Sequence, residues 1–268
     1  MKILFIGDVM GRSGRDALQI HLPALKDRLK PDFIVVNGDN AAHGRGITGQ
    51  ICKELYALGV DCITSGDHVW DQREIISYIE KDKNLIRPLN YPASAPGAGV
   101  WEGERGGVKL TVIHLQGRVF MNEMDSPFEA AAKILAERRP VGSDHAIFVD
   151  FHAEATSEKM GMAHFLDGRV TAVIGTHTHL PTADHQVFPK GTAFQGDAGM
   201  TGDYNSVIGA KPEDALHRFI RRMPQNLNPA DGEATLCGAL ITVDGRGLAA
   251  KIEPVRLGGR LSEAMPIG

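Results

Sequence analysis

Residues 31–40 read PDFIVVNGDN. A proline opens the stretch, four apolar residues run without a break, and a Gly-Asp-Asn group closes it. Such a run, bounded by turn-forming residues, reads as a β-strand. The same unit recurs on either side. Residues 2–8, KILFIGD, form a strand ending in Gly-Asp, and residues 61–68, DCITSGDH, form another. Between them lie stretches with helical spacing of apolar residues: GRDALQIHLPALKDRL (14–29), TGQICKELYALGV (48–60) and, after the third strand, DQREIISYIEKD (71–82). This βαβαβ rhythm predicts parallel strands joined by crossover helices, and so an α/β fold.

The pattern continues after a Pro-, Gly- and Ala-rich loop, PLNYPASAPGAGV (88–100). Strands are predicted in VKLTVIHLQG (108–117), HAIFVDFHAEA (145–155) and RVTAVIGTHTH (169–179), and helices in SPFEAAAKILAERR (126–139) and SEKMGMAHFL (157–166). Residues 234–257 read as a hairpin turning at Asp244-Gly245, and these antiparallel strands suggest a mixed second sheet. No repeat, linker or low-complexity segment divides the chain, so one domain over residues 1–268 is expected.

Composition narrows the function. The net charge is −4, which disfavours a protein built on nucleic-acid backbones, and stable DNA binding is not expected. No stretch approaches the roughly 20 apolar residues of a membrane span. The first apolar run is short and is interrupted by Asp8, unlike a signal peptide. Cys52, Cys62 and Cys237 are scattered without a paired framework, which points to a reducing compartment, and the cytoplasm is expected.

The informative residues stand at the strand ends: Asp8 after the first, Asp39 and Asn40 after the second, Asp67 and His68 after the third, His152 after HAIFVDF, and His177 and His179 after AVIGT. Taken singly, Asp8 or the NGDN group reads as a turn or a helix cap, and His152 as a hydrogen-bonded core histidine. Jointly they read differently. Parallel strands bring their carboxyl ends to one rim, where ligands bind in α/β sheets. Carboxylates and imidazoles gathered there suit divalent ions such as manganese, iron or zinc. The set exceeds what one ion needs, so two ions sharing a carboxylate are expected.

The order D…GDN…GDH…H…HTH resembles the calcineurin-like metallophosphoesterases, and the chain is most similar to their bacterial YmdB-like branch. The resemblance rests on IGDVMGRSGR (6–15), VVNGDNAAHGRGIT (35–48), TSGDHVWDQREI (64–75), RPLNYP (87–92), DFHAEATSEKMG (150–161), VIGTHTHLPTAD (173–184) and GTAFQGDAGMTGDYNSVIG (191–209). It implies a four-layer α/β/β/α sandwich of two mixed sheets flanked by helices. It implies one ion on Asp8, Asp39, Asn40 and His179, and a second on Asp39, Asp67, His152 and His177. Iron or manganese are the usual occupants, with zinc or magnesium as alternatives. It further implies a phosphodiesterase acting on 2′,3′-cyclic nucleotides, in which a metal-bridged hydroxide attacks phosphorus and His68 is the catalytic acid.

Three positions depart from the family pattern. Met10 replaces the superfamily's D-x-H histidine, as in the YmdB-like branch. Asp39 stands where the branch usually has Glu. Asp67 stands where Asn is usual; its extra negative charge should hold a divalent ion more tightly and acidify bound water less. Two alternatives accompany the phosphodiesterase expectation: a phosphomonoesterase on the same site, and a regulatory metal- or nucleotide-binding protein with little turnover. The expected partner is a small phosphodiester or cyclic nucleotide. A homo-oligomer and a regulatory RNA-processing partner are compatible with the sequence. Arg12, Arg15, His43, Arg45, Trp70 and Tyr204 are weaker candidates for substrate contact, and the pattern assigns none of them.

Overall fold

A computed structural model describes residues 1–267. The chain runs β1 (Lys2–Ile6), α1 (Gly11–Leu29), β2 (Phe33–Asn37), α2 (Gly49–Ala57), β3 (Cys62–Thr64), α3 (Ile75–Tyr78), β4 (Leu85–Ile86), β5 (Val100–Arg105), β6 (Val108–Gln116), α4 (Pro127–Ala136), β7 (His145–His152), α5 (Thr156–Leu166), β8 (Ala172–Thr176), β9 (Gln186–Val187), β10 (Ala193–Gln195), α6 (Pro212–Arg221), β11 (Leu236–Val243) and β12 (Ala249–Leu257).

Two six-stranded sheets result, ordered β12-β11-β1-β2-β3-β4 and β5-β6-β7-β8-β10-β9. Each has a run of parallel strands, β1 to β4 in one and β6, β7, β8 and β10 in the other; antiparallel strands flank it on one side in the first sheet (β11 and β12) and on both sides in the second (β5 and β9). Both sheets are therefore mixed, as expected. The C-terminal hairpin differs in placement: β11 pairs with β1, so it extends the first sheet and does not build the second.

The period-2 alternation of strand side chains sorts the core into layers. Ile3 and Phe5 of β1 and Phe33 and Val35 of β2 point inward against Val112, Phe148 and Ile174 of the other sheet. Phe5 and Phe148 meet with ring centroids 5.0 Å apart. The alternate residues Leu4, Ile6, Ile34 and Val36 point outward onto Leu18, Leu22 and Leu25 of α1 and Ile51 and Leu55 of α2. On the far side Ile113, Val149, Phe151 and Val173 pack on Met162 and Leu166 of α5 and on Ala131 of α4. The order of layers is α/β/β/α.

Two predicted elements are shorter than their sequence pattern. Of residues 71–82 only α3 is helical, because the side chains of the preceding residues are held elsewhere: Asp71 by His68 at 3.0 Å, and Gln72 by the Arg45 carbonyl at 2.8 Å. The strand expected over 169–179 stops at Thr176. Strands β4, β5, β9 and β10 and helix α6 were not read from the sequence.

One consequence of the layering positions the site. Toward the carboxyl ends of the parallel strands, the inward face between the sheets changes from apolar to polar. Phe33 and Val35 are followed on that face by Asn37, Cys62 by Thr64, Val112 by His114 and Gln116, Phe148 by Asp150 and His152, and Ile174 by Thr176. All these polar residues are buried. The cleft between the two sheets therefore ends in a polar rim.

Candidate metal centre

At this rim the predicted residues converge. Asp8, Asp39, Asn40, His152 and His179 are buried, while Asp67 and His177 are half-buried. His152 Nε2 lies 3.0 Å from Asp67 Oδ1, 3.1 Å from His177 Nδ1 and 3.5 Å from Asp39 Oδ2. His177 Nδ1 is 3.3 Å from Asp67 Oδ1. Asn40 Oδ1 faces His179 Nε2 at 3.2 Å. Asp67, His152 and His177 form one group with ligand-capable atoms close enough for a shared ion, and Asp39, Asp67 and His68 form another.

The hydrogen bonds behind these atoms decide what they offer. His179 Nδ1 lies 2.7 Å from the Ile208 carbonyl, which can only accept, so that nitrogen carries the proton and Nε2 presents a lone pair. The amide nitrogen of Asn40 donates to the Gly44 carbonyl at 3.1 Å, which leaves its oxygen facing that lone pair. His152 Nδ1 is 2.9 Å from Thr176 Oγ1, and the Thr176 hydroxyl donates to Asp150 Oδ1 at 2.8 Å, the stronger acceptor. His152 therefore donates through Nδ1 and turns the Nε2 lone pair toward Asp67 and Asp39. Asp8 Oδ1, fully buried, finds no hydrogen-bond partner among the described residues. Lone pairs aimed at one another across about 3 Å repel unless a cation lies among them, and an orphaned buried carboxylate oxygen is costly for the same reason. Carboxylate, imidazole and amide oxygen donors, with imidazoles oriented from behind, fit divalent metal ions.

The backbone is shaped to allow this convergence. His177 and His179 have φ of +92° and +65°, in the left-handed region that costs a side-chain-bearing residue about 1–3 kcal/mol each. This double reversal ends β8 and turns both imidazoles to one rim. It is held by bonds on each side: His177 N–H donates to Asp8 Oδ2 at 3.2 Å, and the His179 carbonyl accepts from Met200 N–H at 2.9 Å and Tyr204 Oη at 3.0 Å. Gly66 is needed beside it, since a Cβ there would sit 2.4 Å from His152 Nε2.

A family model described as "YmdB-like protein" matches residues 4–255. The chain belongs to the YmdB-like family. It is 46% identical over 259 residues to a Bacillus subtilis protein named 2′,3′-cyclic-nucleotide 2′-phosphodiesterase, covering 95% of this chain and 96% of that one. A crystal structure of a hypothetical protein from Thermus thermophilus superimposes with a TM-score of 0.91 at 42% identity, covering 97% of this chain and all of that one. A structure described as a novel phosphatase from Mycoplasma pneumoniae gives 0.90 at 33% identity, covering 96% and 93%. The sandwich is the fold expected of the calcineurin-like metallophosphoesterases.

In this YmdB-like chain His68 stands slightly apart, a quarter exposed at its side chain, with Nδ1 3.0 Å from Asp71 Oδ2. Its backbone N–H donates to the Asp39 carboxylate at 3.2 and 3.3 Å. The weaker candidates separate. Arg12 pairs with Asp16 on the solvated face of α1 at 3.6 Å, and Arg15 is spent on the Ala41 carbonyl. Tyr204 serves the His179 loop, and Trp70 packs edge-on against Tyr91 with centroids 5.8 Å apart. His43 and Arg45 are exposed beside Gly44.

Several residues behind the site carried no signal that the sequence reading used. Asp71 lies three residues beyond His68, within the same turn. Glu154, two residues past His152, places Oε2 3.2 Å from His177 Nε2. Asp150 takes hydrogen bonds from Thr64 at 2.5 Å, Asn37 at 2.9 Å and Thr176, and so anchors the support of His152. His114 is buried edge-on against His152 with centroids 6.3 Å apart.

Burial pushes Asp8 and Asp39 well above the ordinary carboxylate range, Asp197 and Asp150 adding to the effect at Asp8, and Asp67 at Asp39. Burial pushes His152 and His179 down, which keeps both neutral. For His177 burial acts the same way but is outweighed by Asp67, so its pKa rises. The sign of the pH dependence follows. Ion-free protein holds protons on groups that must lose them to ligate, while neutral His152 and His179 have none to give. Binding of Mn²⁺ is expected to release protons, and its apparent affinity to rise with pH. Calorimetric titration in two buffers of different ionisation enthalpy reads the number released; heats independent of the buffer contradict this.

Proposed function

We propose that this chain is a phosphoric ester hydrolase, a dinuclear metal-dependent phosphodiesterase acting on 2′,3′-cyclic nucleotides. The observation that carries the reading is the convergence of lone pairs from Asp39, Asn40, Asp67, His152, His177 and His179 on one rim, with Asp8 Oδ1 unpartnered beside them. The substrate class follows the activity named for the Bacillus subtilis relative. Asp8, Asp39, Asn40 and His179 would hold one ion, and Asp39, Asp67, His152 and His177 the other, with Asp39 shared. Oxygen and nitrogen donors without thiolate favour manganese or iron, with zinc or magnesium next. Bound there, the ions supply Lewis-acid charge that acidifies water and neutralises phosphate oxygens.

The chain's own residues do the rest. His68 delivers a proton from Nε2 to the leaving ribose oxygen, and Asp71 on Nδ1 fixes the orientation of the ring. The Asp39 bond to the His68 backbone ties the acid to the ion cluster. Glu154 orients His177, and Thr176 with Asp150 orients His152. One domain over 1–268 carries all these groups. The three cysteines are free and buried, in keeping with a cytoplasmic protein, and no helix among the described residues is long and apolar enough to cross a membrane.

The decisive experiment is hydrolysis of 2′,3′-cyclic AMP by purified protein with Mn²⁺ and with chelator. Turnover that disappears on chelation is expected. Absence of turnover with two ions demonstrably bound would favour a regulatory protein, the reading for which Asp67 argues, since its charge damps the acidity of bound water. Asp67→Asn keeps an oxygen donor and removes that charge. It should raise kcat roughly tenfold, as about one pKa unit in the attacking water, and weaken Mn²⁺ retention. Unchanged kcat would mean the charge at this position does not limit the reaction.

A further inference from the structure

Two buried charges lie behind the His177–His179 loop and belong to no ligand set. Lys159, on α5, is 2% exposed, and Asp197, in the loop after β10, is fully buried. Lys159 Nζ donates to Asp197 Oδ2 at 2.9 Å and to Thr178 Oγ1 at 3.1 Å. The same Asp197 oxygen accepts from Thr178 N–H at 3.0 Å and from its hydroxyl at 2.6 Å, while Oδ1 accepts from Gly199 N–H at 2.8 Å. Thr178 is the residue between the two histidines. Every polar group on its near side is thus spent on this pair.

We propose that the Lys159–Asp197 ion pair is a positioning clamp, which grips Thr178 and thereby sets both imidazoles of His177 and His179 for ion binding. The inference rests on the metal-centre reading above. A buried ion pair is seldom retained for stability, because desolvation offsets its attraction. Here it grips a residue flanked by two left-handed histidines, whose backbone relaxes if the grip is lost. The clamp also joins two sources of ligands. Lys159 belongs to the helix that follows His152 and Glu154, and Thr178 to the loop after β8, so the imidazoles of neighbouring strands are held in mutual register. The interior makes room for the connection at Gly175, where a Cβ would fall 1.9 Å from the Gly196 carbonyl and 2.9 Å from Lys159 Cδ.

The test is Mn²⁺ titration by calorimetry of chelator-treated full-length protein, with thermal melting in chelator alongside. The double variant Lys159→Met with Asp197→Asn removes both charges and leaves neither unpaired in the interior. Thr178→Val removes only the hydroxyl contacts. The double variant is expected to melt cooperatively and to bind Mn²⁺ about 10–100-fold more weakly, the range for groups that orient metal ligands. Thr178→Val should show a smaller loss in the same direction. A folded double variant with wild-type affinity would overturn the clamp, whatever its melting temperature, because the pair would then serve the fold alone. If the double variant does not fold, wild-type affinity in Thr178→Val overturns it equally. Wild-type protein that takes up no Mn²⁺ defeats the metal-centre reading itself, and the clamp with it, which is distinguishable from failure of the clamp alone.

Discussion

Asp39→Ala is expected to lower turnover of a cyclic phosphodiester by about 10³-fold or more and to strip both halves of the cluster of their ions. The carboxylate faces His152 Nε2 on one side and the His68 backbone N–H on the other, and it is fully buried. On the proposed assignment it is the only ligand shared by two ions. Its loss removes one negative charge from both, and with them several kcal/mol of transition-state charge stabilisation. Two measurements check it together: metal content of the purified variant and kcat with saturating Mn²⁺. A variant that keeps two ions and most of its turnover would show that Asp39 is not the bridge. The fold should survive, because Asn37 Oδ1 still accepts the residue-39 backbone N–H at the turn, now at 3.0 Å.

The second large effect separates acid catalysis from ion binding. His68→Ala should leave both ions in place and lower kcat by roughly 10²–10⁴-fold, the usual contribution of a positioned general acid. The ring hydrogen bond of His68 runs through Nδ1 to Asp71, and on the proposed assignment Nε2 serves the substrate. The loss should be smaller for a substrate with a more acidic leaving group, which needs less protonation, so comparing 2′,3′-cyclic AMP with an aryl phosphodiester tests the role itself. Equal losses on both, or a simultaneous loss of metal, would make His68 a structural neighbour of Asp39.

The two variants also differ in what they reveal about construction. Asp39 is reached through the polar rim of the inter-sheet cleft, where each strand's inward face passes from apolar to polar. His68 is reached through a turn held by side chains, Asp71 and Gln72, where the sequence had suggested continuous helix. The first depends on the sheets being in register, the second on two side-chain bonds, one within the turn and one to Arg45.

The parts of this chain that repeat follow local rules. Short apolar runs closed by Gly-Asp or Gly-Thr-His mark most of the parallel strands, and the same punctuation places Asp8, Asp39, Asn40, Asp67, His68, His177 and His179 at strand ends, while His152 closes the apolar run of residues 145–151. Chain order, period and turn chemistry suffice for that, because each is set within about ten residues. Which strand pairs with which is set by contacts distant in the chain, and so by the folded molecule. Strand β11 joined β1 rather than starting a second sheet, and two-residue strands such as β4 and β9 exist only because a neighbour supplies their hydrogen bonds. The folded molecule alone decided the proton positions that turn imidazoles into ligands, since His179 depends on the Ile208 carbonyl, 29 residues along the chain, and His152 on the Thr176 hydroxyl, 24 residues along. Lys159 and Asp197 were illegible for the same reason: a charged side chain on a helix or in a loop looks solvated until the fold buries it against its partner, and no local pattern records that burial; Glu154 stays exposed and meets His177 only because the fold brings β7 and the loop after β8 together.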